Sequence, residues 1–101
     1  MKQRLVVMNG QRVIQTVALE NETFDSASNE VLGKANGIKP GVYNLYLAQP
    51  PKSGIEHSGM VIHKDKNVIY QKTKAGIVAY ELSLFDQIHS SGRKFLFSLI
   101  L

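Results

Sequence analysis

His57, His63 and His89 are the side chains best suited to proton transfer or metal ligation near neutral pH. With Asp65 they could supply a ligand set for a divalent metal. Their spacing, however, contains no i, i+4 helical pair and no HExxH pattern. His63-Lys64-Asp65 falls where a strand enters a turn, which describes a surface histidine beside a turn aspartate. Ser53, Ser58, Ser90 and Ser91 could be nucleophiles only if a base sat beside them, and no GxSxG elbow positions any of them. Gly54 and Gly59 flank a loop but do not open a helix as a phosphate-binding loop must. The chain has no cysteine, which excludes thiol catalysis, disulfides and cysteine zinc sites. The expectation is a non-enzymatic protein with no metal and no cofactor.

Binding chemistry is better represented. Tyr43, Tyr46 and Tyr70 lie in strand-like runs, and Lys64, Lys66, Lys72 and Lys74 lie near the turns between such runs. Sheet tyrosines beside lysines can stack bases while the cations follow phosphates. The same tyrosines are enriched at protein interfaces, and lysines at strand ends also serve simply to keep sheet edges soluble. These seven residues are the candidate binding set. Tyr80 shares a face with Val78 and Tyr70 with Val68, so packing could absorb several of the tyrosine rings into the core. The net charge of +4 is modest for a dedicated nucleic-acid binder and has the wrong sign for an acidic DNA mimic. The charge is also uneven: residues 20–30 carry −4 and the remainder +8, with a local balance of +5 between Lys34 and Lys74.

The elements that must carry these residues are short strands. Asn9-Gly10 between two apolar runs is a strong hairpin signal, so residues 1–18 are expected to form an N-terminal hairpin. Residues 19–39 read as a polar, irregular excursion with at most a helical turn near Ser26–Leu32. Pro40-Gly41 reads as a type II turn with positive φ at Gly41, leading into the strand Val42–Ala48. Three strands, 58–63, 67–71 and 76–81, follow with short polar links, which requires an antiparallel meander. Ser83 can cap a helical turn containing Leu84, Phe85 and Ile88, and residues 94–101 are expected to close or edge the sheet. At 101 residues, 44% hydrophobic and 20% charged, the chain is large enough for one core and too apolar to be disordered. The fold class is mainly β: a single domain over residues 1–101, built as a bent antiparallel sheet or partly open barrel with little helix. No apolar run approaches the roughly 20 residues a membrane helix needs, and the four-residue run after Arg4 is too short for a signal peptide. A soluble, cytoplasmic protein with no membrane partner is expected.

The run Gly37 to Ala48, with its Pro-Gly-x-Tyr, is followed by Ser58-Gly59-Met60-Val61, Val68-Ile69-Tyr70-Gln71 and Gly76-Ile77-Val78. This ordered set resembles the KfrB domain of conjugative plasmids and related mobile elements, over a core at residues 37–86. Met1 to Arg12 is similar to the leader of small plasmid proteins ending in that domain. The resemblance implies a plasmid accessory protein acting in maintenance or transfer by binding plasmid-encoded or host proteins. Two alternatives come with it: an inhibitor of a host defence system such as CRISPR or restriction, and a small-barrel protein that binds nucleic acid.

Overall fold

The structure is a computed structural model and describes residues 1–52, 54, 57–82 and, as backbone, 98–100. Among the described residues, eight strands form two four-stranded sheets. The chain gathers into two compact units, Met1–Leu47 and Ala48–Leu101, with one sheet in each, so the boundary falls inside the 37–86 segment.

In the first unit β1 (Lys2–Met8) and β2 (Gln11–Val17) form the expected hairpin, pairing from Lys2 with Val17 to Met8 with Gln11. Its two turn residues have φ of 51° at Asn9 and 74° at Gly10, the left-handed pair that a type I′ turn demands. Burial of Leu5, Val6, Val7, Ile14 and Val17 holds the hairpin to the core, joined by Ile38 and Leu45. A 3₁₀ turn, Phe24–Ser26, precedes β3 (Ser28–Lys34), which pairs antiparallel with β2. The excursion expected over residues 19–39 thus contains a seven-residue edge strand. Its residues are weak strand formers, and pairing with β2 overrides their propensity. A bulge at Leu32, where Val13 pairs with Val31 but Arg12 with Gly33, bends the strand.

The long strand expected over Val42–Ala48 is cut short. β4 (Gly41–Tyr43) completes the sheet order β3-β2-β1-β4, and the chain then turns through a 3₁₀ segment, Leu45–Leu47, closed by the Leu47 amide on the Asn44 carbonyl at 3.0 Å. Alternation could not have buried Leu45 while keeping both Tyr46 and Leu47 exposed, and the turn does. Gly41 has no positive φ, because it is already a strand residue paired with Val7; the left-handed residues lie earlier, at Asn36 and Gly37. The type II turn reading at Gly41 is therefore corrected.

In the second unit β5 (Ser58–Lys64), β6 (Val68–Thr73) and β7 (Gly76–Glu81) form the expected antiparallel meander. β8 (Ser98–Ile100) adds to β5 in parallel, giving the order β7-β6-β5-β8 and a sheet that is not wholly antiparallel. The outer edge of β7 is covered at Gln49, whose amide donates to the Ile77 carbonyl and whose carbonyl accepts from Ala79, both at 2.9 Å. No closed barrel forms among the described residues. The helical turn expected around Ser83–Ile88 and the strand residues 94–97 and 101 lie outside the described residues.

The buried face of this sheet carries Val78, Gln71 and Tyr80. The Tyr80 hydroxyl donates to Gln71 Oε1 at 2.6 Å, and Gln71 Nε2 donates to the carbonyls of Gly59 at 3.1 Å and His57 at 3.4 Å. One amide thus ties β5, β6 and β7 together inside the core, as buried polar groups require. Burial raises the Tyr80 pKa above the ordinary phenol value.

Candidate interaction surfaces

The seven candidate binding residues fall into both units. In the second, Lys64 and Lys66 lie at the β5–β6 turn, while Lys72 and Lys74 lie by the β6–β7 turn. Successive turns of a meander alternate ends, so the six residues of β6 hold the two pairs about 20 Å apart. The four lysines thus stand as two separated pairs. The Asp65 carboxylate shapes the first turn by accepting the amides of Asn67 and Val68, both at 2.8 Å.

Tyr70 and Lys72, two residues apart on β6, share the sheet face opposite the buried Gln71. Lys72 lies across from Met60 and Ile77, and Tyr70 lies across from His63 and Ala79. The His63 ring stacks on Tyr70 at 5.9 Å with 30° between planes. Partial burial, and then the negative charge of Asp65, raise the Tyr70 pKa. This phenol stays neutral at physiological pH, an aromatic body with a polar tip suited to a protein interface. His57 lies elsewhere, its Nε2 accepting the Lys52 amide at 3.1 Å and its ring edge-on to Tyr80. The described histidines are thus parted, and no cluster of metal ligands occurs among the described residues. His89, Ser53, Ser90 and Ser91 lie outside them.

In the first unit Tyr43 and Tyr46 do different things. Tyr43 is half-buried and its hydroxyl donates to the Lys39 carbonyl at 2.6 Å, bracing the loop before β4. Tyr46 is 42% exposed and packs at 5.7 Å against Phe24. Lys2 Nζ lies 5.2 Å from the Tyr46 ring centre and 5.0 Å from that of Phe24, and the Arg4 guanidinium lies 4.2 Å from Phe24. Lys2 and Arg4 share one face of β1, two residues apart, and the two 3₁₀ turns bring an aromatic each to that face. Sequence reasoning singled out Tyr46 and missed Lys2, Arg4 and Phe24. The available signal was the Lys-x-Arg alternation on the first strand, together with a lone phenylalanine in a polar run.

Residues 56–95 match the KfrB Domain. The match takes in β5, β6 and β7 with the Tyr70 face, and begins after the Pro-Gly-x-Tyr run that also carried the resemblance. Over 95 residues, 91% of its length, the chain is also 26% identical to the Escherichia coli protein named Protein TraB, and it spans 62% of that relative. Both findings point to a plasmid-associated protein. No helix among the described residues is long and apolar enough to cross a membrane.

Proposed function

We propose that the chain is a non-enzymatic, cytoplasmic protein-binding module of a conjugative plasmid or other mobile element, serving plasmid maintenance or transfer. The observation that carries this reading is the division of the lysines between opposite ends of the KfrB-matching meander. The face between those ends presents Tyr70, His63, Met60 and Ile77 in place of a continuous cationic track. A nucleic-acid groove needs cations spaced along the phosphates, whereas aromatic and apolar groups rimmed by charge are what protein interfaces use.

Salt dependence tests the choice. Duplex and single-stranded DNA are titrated with the full chain at several salt concentrations. Each phosphate neutralised steepens the log-log slope by about 0.9 on duplex and 0.7 on single strands. The reading expects no micromolar binding at physiological salt. Micromolar or tighter binding that is lost when Lys64 and Lys66 are reversed to Glu would replace it with the nucleic-acid alternative.

A further inference from the structure

Arg4 and Lys2 are half-buried cations with no carboxylate partner among the described residues. The sole ion pair among the described residues joins the Met1 ammonium to Glu20 at 3.1 Å. Every residue of the first unit is described, and the acids nearest these cations in the chain are engaged elsewhere. Glu22 Oε2 accepts from the Ser26 hydroxyl at 3.2 Å, and Asp25 Oδ2 from the Thr23 hydroxyl at 3.4 Å. Lys2 Nζ is turned to the Glu22 backbone carbonyl at 2.6 Å, not to its carboxylate. Arg4 is held more closely still. Its Nε donates to Gln15 Oε1 at 2.6 Å, and its plane lies beside the Phe24 ring at 4.2 Å.

These two restraints fix the guanidinium through one nitrogen and one face, and its Nη edges meet no acceptor among the described residues. A guanidinium already desolvated on one side and fixed in orientation has lost the rotamer freedom that ordinarily weakens a surface ion pair. Its remaining planar fork matches a carboxylate. Tyr46, 42% exposed, packs against the same Phe24 ring at 5.7 Å and can cover an apolar side chain flanking that carboxylate.

We infer that Arg4, oriented by Gln15 and Phe24, is the anchor for a carboxylate on an acidic-apolar segment of a protein partner. The inference rests on the protein-binding reading and gives it a partner chemistry. A single carboxylate is favoured over a nucleic-acid strand because Glu20, Glu22 and Asp25 lie within the same short stretch as Phe24 and oppose a run of phosphates.

The test is an NMR titration of the isotope-labelled full chain, observing the Arg4 side-chain Nε resonance. The probes are the tetrapeptide amide acetyl-Leu-Glu-Leu-Glu, its glutamine counterpart and inorganic phosphate, at equal ionic strength. A saturable Arg4 shift with the glutamate peptide, absent with the glutamine peptide and with phosphate, is expected. The Arg4→Lys variant, which keeps the charge and loses the fork, should bind that peptide about tenfold more weakly. Equal shifts with both peptides, a shift with phosphate alone, or unchanged affinity in Arg4→Lys overturns the inference. Should Arg4→Lys lose spectral dispersion, Gln15→Met takes its place: it leaves the guanidinium and removes its orienting acceptor, and unchanged affinity there overturns the inference equally. A protein partner held as tightly by Arg4→Lys as by the parent would remove the anchor and leave the protein-binding reading standing. Glutamate-specific binding at Arg4 in a chain that binds only nucleic acid would remove that reading and leave the anchor.

Discussion

Replacing Tyr80 by Phe removes one oxygen from an enclosed hydrogen bond and leaves the ring in place. Tyr80 and Gln71 are both fully buried, and the bond between them is 2.6 Å long. Truncating the donor strips Gln71 Oε1 of a short bond in a place water does not reach. The expected loss is about 1–3 kcal/mol, the range for breaking a hydrogen bond in an enclosed site. At about 2 kcal/mol the melting temperature of a domain this size falls by about 8–16 °C. Urea unfolding followed by far-ultraviolet circular dichroism measures the loss, and a cycle with Gln71→Met isolates the pair. The double variant should be more stable than the sum of the singles predicts, by about 1 kcal/mol, because the second change removes the partner whose bond the first one has already broken. A Tyr80→Phe protein within about 0.3 kcal/mol of the parent, or strictly additive variants, would refute the claim that this bond ties the meander together.

Gly59 permits a close approach: a Cβ there would overlap the Lys72 carbonyl oxygen, a backbone atom that cannot swing away. Gly59→Ala should cost at least about 1–3 kcal/mol or abolish folding of the second unit, read by denaturant midpoint. Leu45→Ala, at 3% exposure, should cost about 2–5 kcal/mol, and Val61→Ala, only half-buried, clearly less; equal losses would contradict the packing described. Tyr70 and Tyr80 both hold their protons more tightly folded than unfolded. Their contribution is therefore complete below the unfolded phenol pKa near 10 and declines as pH rises beyond it. Tyr80→Phe should flatten that alkaline decline in a pH series of unfolding midpoints, and an unaltered slope would count against it.

What the sequence made legible was local. Asn9-Gly10 between apolar runs specified a turn whose chemistry needs nothing from the rest of the chain, and the short polar links around Lys64–Lys66 and Lys74 admitted only a meander. β3 was hidden because Ser28–Lys34 has little strand preference and owes its conformation to β2. β8 was legible as an edge strand, whereas its parallel direction depends on where the chain travels between β7 and Ser98. Among the candidate site residues, Tyr46 was legible as an exposed ring. Its neighbours were not, since Phe24 and Lys2 are separated by 22 positions and meet only through folded pairing. The lysine pairs could have been parted in advance, because successive turns of a meander must lie at opposite ends.

Affinity capture of the tagged full chain from a plasmid-bearing host, repeated with the purified captured partner, tests the central claim most directly. The account predicts a defined protein that stays bound after nuclease treatment and at raised salt, binds the Lys64→Glu/Lys66→Glu variant equally well, and is lost with Tyr70→Ala. Recovery of nucleic acid instead, with association abolished by nuclease, by salt and by the lysine reversals while Tyr70→Ala has no effect, would contradict it.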